Sequence, residues 1–189
     1  MPALLRARVE RDVYCRLLRN LYALYVALEA ALDQHADTPE VGPVCLSALF
    51  RSTALKDDLN FLYGSDWYQL PLTVAMQDYV THLHVISETQ PGLLAAHAYV
   101  RYLGDLSGGQ VLRDRVRIAL GLSGSAGTAF YGFGEADESD LLKAQFRTAL
   151  NALALEAGAA TNFIIEANAA FARHIQLFEE LGTATGVSA

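Results

Sequence analysis

The chain is poor in several things at once. It has two cysteines, Cys15 and Cys45, one tryptophan, and five prolines, none of them beyond Pro91. Two cysteines without a CxxC pair exclude a disulfide framework and offer no zinc-ligand spacing, which fits a reducing compartment. No uninterrupted apolar run approaches the roughly 18 residues of a membrane span. The opening MPALLRARVERD carries charge too early and too often for a secretion signal. Basic charge is also short: 14 Lys and Arg stand against 21 Asp and Glu, a net charge of −7. That balance argues against a nucleic-acid binder. A cytoplasmic protein without a membrane anchor is the expectation. The absence of proline beyond position 91 leaves the second half free to run as long helices.

What is present is apolar and periodic. Hydrophobic residues make up 52% and charged residues 19% of 189 residues, enough for one globular domain with a sizeable core. Tyr14, Leu17, Leu18, Leu21, Leu24, Tyr25, Leu28 and Leu32 follow helical spacing, predicting a long amphipathic helix over 12–34. Further helices are predicted over 46–62, from Pro71 to about 88, over 93–120, over 140–155 and over 161–181. The Gly- and Ser-rich stretch GLSGSAGTAFYGFGEAD separates the fourth from the fifth. No segment alternates with period two, so the fold class is all-α, a compact multi-helix bundle with short connections. A single domain spans 1–181, and 182–189 reads as a flexible tail.

One stretch runs against its own helix. RYLGDLSGGQVL, residues 101–112, places Gly104, Gly108 and Gly109 inside a helical pattern. Each glycine there costs about 1 kcal/mol relative to alanine. Gly104 and Gly108 are four apart and share a face, so together they strip about one turn of side chains. Close helix packing is one reading, and a flat ligand against bare backbone is the other; a glycine pair also marks a place where a helix can bend. Asp105 beside the strip, with Tyr99, Arg101 and Ser107 nearby and Tyr25, Glu29 and Tyr79 on other helices, suggests a hydrated polar pocket. Lys143 and Arg147, four apart, project from one helix face, either as a solvated basic edge or as a grip on two carboxylates.

The stretch HAYVRYLGDLSGGQVL, residues 97–112, resembles the haem oxygenase family, as do LYALYVALEAAL, ALKDDLNFLYG, AMQDYVTHLH and IQLFEEL. The resemblance covers nearly the whole chain. It implies a helical fold that sandwiches haem between a proximal and a distal helix, with haem as cofactor and substrate at once. Haem would be cleaved with O2 to biliverdin, carbon monoxide and iron, using electrons from a separate reductase of ferredoxin, flavodoxin or NADPH-dependent type, in the service of iron acquisition. By the same resemblance, Gly104 and Gly108 let the porphyrin approach the distal helix, and Asp105 is the catalytic residue, holding a water that supplies protons. Tyr25, Tyr79, Tyr99, Arg101 and Glu29 match a distal polar network. Lys143 and Arg147 match the residues that grip the haem propionates, and Phe171 matches the pocket wall. A non-catalytic haem-binding protein is the rival on the same scaffold.

The chain also departs from the pattern. The family's proximal histidine lies in a helix upstream of the segment matching RVERDVYCRLLRNLYALY, and here no histidine precedes His35. The expectation is that this helix is missing from the sequence, either through a start placed too late or through real loss. An apolar groove would then be exposed, and the chain would be poorly soluble or self-associate. A substitute ligand among His82, His84, His97 and His174 is the further alternative; the first three read as structural. His174 stands where the family has an asparagine of the distal network, and Val100 where it has a threonine.

Overall fold

In a computed structural model, residues 10–153 and 157–184 are described. The predicted first helix forms as α1, Arg11–Gln34. Its apolar stripe is buried almost without remainder: Leu18, Leu24, Tyr25, Leu28 and Leu32 are fully shielded from water. α1 is the central post of the bundle, packed against α2 (Ser52–Tyr63), α3 (Val74–Thr89) and α4 (Leu94–Leu120). α5 (Ala136–Asn151) and α6 (Ala157–Ala184) pack on α4 from the other side. No strand occurs among the described residues.

Several boundaries differ from the sequence expectation, and the starts of three helices do so for a capping reason. The second helix begins at Ser52 rather than 46, because a 3-10 turn, Ser47–Leu49, precedes it. The buried Glu29 carboxylate sets its start by accepting the backbone N–H groups of Arg51 and Ser52. Pro71 lies outside α3. Thr73 is the cap, its hydroxyl accepting from the Met76 N–H at 3.2 Å, and the buried Asn20 side chain of α1 accepts the Thr73 N–H at 3.0 Å. α5 starts at Ala136, not 140, because Glu135 and Glu138 form a reciprocal capping box. α6 runs through Gly182 to Ala184, so the predicted tail is helical at its start; residues 185–189 lie outside the described ones.

α4 is an unbroken helix of 27 residues despite its glycines, so the expected bend does not interrupt it. It stops at Gly121, whose φ of 62° is the left-handed conformation that terminates helices and that glycine adopts freely. The turn after the Gly-rich loop, Ala129–Tyr131, is pinned by Asp58 of α2, which accepts the backbone N–H groups of Ala129 and Phe130 at 2.8 Å each. That turn presses Phe130 edge-on against Tyr25, with ring centres 5.6 Å apart, and lays Tyr131 against Gly109. The third glycine is therefore a packing glycine. Arg51 ties the same region together by donating to the carbonyls of Leu49, Ala48 and Gly132.

Candidate functional site

Gly104 and Gly108 differ from Gly109 in what surrounds them. A Cβ placed on either would meet nothing within 4 Å, whereas one on Gly109 would touch Tyr131 at 3.5–3.7 Å. Helix packing therefore does not account for the first two. They leave a side-chain-free strip on α4 that faces open space, while Asp105, between them in sequence, turns inward and is buried.

Beneath the strip lies a charged network. The Tyr25 hydroxyl donates to Asp105 Oδ2. Arg101, one turn back on α4, donates to Asp105 Oδ1 at 3.2 Å and to the Tyr25 oxygen at 3.2 Å. Burial raises the Asp105 carboxyl above its ordinary range, and the Arg101 charge, the Tyr25 hydroxyl and Arg51 oppose that rise. Burial also raises Tyr25 well above its ordinary value, so the phenol stays protonated and remains a donor. His174 completes the group: its Nε2 lies 3.1 Å from Arg101 Nη1. A guanidinium has no acceptor, so the imidazole must accept. Burial, then the Arg101 charge, holds His174 well below its ordinary value and hence neutral. The ring, set edge-on against Phe178, offers Arg101 a neutral acceptor of the kind an asparagine oxygen would offer. It is committed there.

The structure brings Tyr25, Arg101 and Asp105 together, and it places Tyr99 and Arg147 in a neighbouring cleft. This cleft, about 440 Å³ between α4, α5 and α6, is lined by Tyr99, Leu103, Arg147, Leu150 and Phe163 among others. Tyr99 packs its ring on Phe163 at 6.0 Å and makes no hydrogen bond to the Asp105 network, so it is a wall residue. Lys143 stands one turn before Arg147 on the same face of α5, half-buried beside an exposed Arg147. Phe171 is exposed on α6 and aligned with exposed Ile164 and Ile175. These three side chains form an apolar stripe on α6. Val100 is buried in the core.

Two of the expected network members lie elsewhere. Glu29 is a cap for α2. Tyr79 pairs with His97, its hydroxyl 2.8 Å from Nδ1. The other nitrogen of His97 lies 2.9 Å from Glu166 Oε1, and His82 Nε2 lies 2.5 Å from that same oxygen. The His97 bond, with help from His82, holds the Glu166 carboxyl down at about 2, against the effect of its burial. The sequence reading missed Glu166. Its one signal is a lone acid in the apolar run NFIIEANAAF. His35 is bonded to Ser87 at the end of α1, and His84 is exposed on α3. Four of the five histidines are thus engaged with partners within the bundle.

Comparisons with known proteins identify the family. A sequence-family model described as "Heme oxygenase" matches residues 1–180. The heme oxygenase of Pyropia yezoensis is 41% identical over 178 residues, covering 94% of this chain and 75% of that protein. The crystal structure of heme oxygenase-1 from Synechocystis sp. PCC6803 in complex with heme superposes with a TM-score of 0.91 at 38% identity, covering 98% of this chain and 86% of that one. The heme oxygenase of Leptospira interrogans gives 0.90 at 36%, covering 95% and 88%. With a strip of bare backbone on its fourth helix, a buried Asp–Tyr–Arg network beneath it and this similarity along the chain, the protein belongs to the haem oxygenase family.

Proposed function

We propose that the Gly104–Gly108 strip is the surface on which haem lies, and that Asp105 directs protons during its cleavage. The residues fit the group. Open space over both glycines admits a flat ring to the helix backbone, which any side chain would hold off. Lys143 and Arg147, on one face of α5 with Arg147 beside the cleft, suit two neighbouring carboxylates. Tyr99 and Phe171 supply apolar wall. Bound haem supplies the iron at which dioxygen is activated and is itself the molecule that is cut.

The protein's part is positional and electrostatic. Asp105 keeps lone pairs beyond those occupied by Tyr25 and Arg101, so it can hold a water by one O–H. The second proton of that water is then aimed at the open side of α4. An acid acting through water transfers protons more gently than a histidine placed directly over the reacting oxygen. Arg101 favours the anionic carboxylate and fixes its rotamer, Tyr25 holds the other oxygen, and His174 holds Arg101. These three are positioning residues, and Asp105 carries the proton chemistry. Two cations on the rim would fix the rotation of the ring in its plane, and with it the edge that is cleaved.

The reaction releases biliverdin, carbon monoxide and iron and draws electrons from a separate reductase of ferredoxin, flavodoxin or NADPH-dependent type. No helix among the described residues is long and apolar enough to cross a membrane, and we infer a cytoplasmic enzyme serving iron acquisition. The carrying observation is the open space above Gly104 and Gly108 next to a buried carboxylate. The test is to add haemin to the purified chain, follow the Soret band, and supply a reductase or ascorbate under air. A biliverdin spectrum with release of iron is the expected result. A stable haem complex that never turns over would identify a haem-binding protein instead.

A further inference from the structure

The meeting of two imidazoles on Glu166 is not used by the reaction described above. His82 comes from α3, His97 from α4 and Glu166 from α6, so three helices deliver one side chain each to a single point. Both ring nitrogens address the same oxygen, at 2.5 and 2.9 Å, and the three potential ligand atoms all lie within 4.8 Å of one another. We propose that His82, His97 and Glu166 form a binding site for a divalent transition-metal ion of the Fe²⁺ to Zn²⁺ series.

Two imidazoles with one carboxylate are the donor set that such ions prefer, and they leave further positions for water. Mg²⁺ and Ca²⁺, which want all-oxygen shells, are disfavoured. A four-coordinate ion with bonds of about 2.0–2.1 Å needs ligand atoms roughly 3.3 Å apart. The Glu166 oxygen must therefore back away from each ring by less than about 1 Å, and the two ring nitrogens, at most 4.8 Å apart, must close by up to about 1.5 Å, which rotation of the partly exposed His82 side chain can supply.

The supporting contacts are also in place. Ligation through His97 Nε2 requires the proton on Nδ1, and the Tyr79 hydroxyl 2.8 Å away can accept it. Because a hydroxyl both donates and accepts, Tyr79 suits His97 in either tautomer. His97 is wholly buried, whereas the His82 side chain is 25% exposed and offers the way in. The Glu166 charge offsets part of the ion's charge, and the cations beside this network, Arg173 over the Tyr79 ring at 5.8 Å and Arg101, act on Tyr79 rather than pairing with Glu166. His97 also lies on the same stripe of α4 as Arg101 and Gly104, seven residues or about 10 Å of helix rise before the glycine. Ferrous iron released by haem cleavage belongs to the preferred class; that point alone rests on the haem oxygenase reading.

The experiment uses the untagged, haem-free chain titrated with Co²⁺, followed by visible d–d absorption and by thermal melting. One equivalent should bind, with the strong band of a four- or five-coordinate ion and a melting point that rises with metal concentration, while Mg²⁺ has no effect. His82→Ala and Glu166→Gln should each weaken binding by at least about tenfold, Tyr79→Phe by about tenfold, and His84→Ala should change nothing. The proposal is overturned if the wild-type chain gives neither band nor thermal shift, or if folded His82→Ala and Glu166→Gln variants bind as well as wild type. Should both variants fail to fold, the wild-type spectrum decides, and a weak six-coordinate band counts against the site. Because haem is absent throughout, a chain that binds Co²⁺ but leaves haem uncut fails only the enzymatic reading, and the converse outcome fails only this one.

Discussion

Replacing Gly104 and Gly108 by alanine should make the protein more stable and a poorer haem binder, and that opposition is diagnostic. Alanine gains about 0.8–1.0 kcal/mol over glycine in a helix interior. No clash subtracts from the gain, since a Cβ at either site has open space for 4 Å. The pair is therefore worth about 2 kcal/mol, or a rise in Tm of roughly 4–8 °C for a chain of this size. Each new methyl projects about 1.5 Å from the backbone into the space proposed for the ring. A gap of that size forfeits much of the dispersion contact across the strip, and haem affinity should fall by about tenfold or more. Gly109→Ala is the control: its Cβ would meet Tyr131 at ordinary contact distance, so stability holds or rises and haem affinity stays put. Melts by far-UV circular dichroism and haemin titrations read both quantities. A double variant that melts lower than wild type, or that binds haem undiminished, refutes the argument that these glycines exist for a ligand rather than for packing.

Other perturbations have equally definite signs. Burial lifts the Asp58 carboxyl from 3.8 to about 6, although the backbone N–H groups of Phe130, Ala129 and Gly127 oppose the shift. The folded state then holds more protons than the unfolded one between about pH 4 and 6, so this contribution falls as pH rises through that window. Stability of wild type relative to Asp58→Asn should drop by on the order of 2–3 kcal/mol from pH 4 to pH 7 in paired urea titrations; a flat or rising difference contradicts it. Tyr25→Phe leaves a buried Asp105 oxygen without its donor and should cost about 1–3 kcal/mol, with slower haem cleavage at near-normal haem affinity; a variant as stable and fast as wild type would remove Tyr25 from the network. Lys143→Ala with Arg147→Ala should weaken haem binding only severalfold, since exposed ion pairs are worth about 1 kcal/mol or less each, but should scatter the cleaved meso position among the biliverdin isomers. An unchanged isomer pattern would end their orienting role.

The fold was legible where periodicity is strong. The α1 stripe and the absence of alternation follow from side-chain spacing, and the long α4 from a stretch without proline. The starts of α2 and α3 were not, because they depend on partners distant in sequence. Glu29 begins α2 from 22 residues away, and Asn20 reaches Thr73 across 53. The α5 capping box is local, and Glu135 with Glu138 was there to be read. Three oddly placed glycines singled out α4, yet only the surroundings separate Gly109, packed on Tyr131, from the two that face open space. Glu29 and Tyr79 look like network members by residue type, and tertiary geometry assigns them to a helix cap and to a histidine instead. The role of His174 was equally out of reach, since its neutrality follows from burial beside Arg101 rather than from its place in the chain.

The most direct test of the account is a single-turnover comparison of wild type with Asp105→Asn, both loaded with haem and given the same reductant under air. The isosteric amide keeps the shape of the site, so haem affinity should match wild type within a factor of about three, while biliverdin formation should fall by roughly 100-fold or more, as loss of a positioned proton donor entails. Biliverdin appearing at the wild-type rate from a fully loaded Asp105→Asn chain would contradict the central claim.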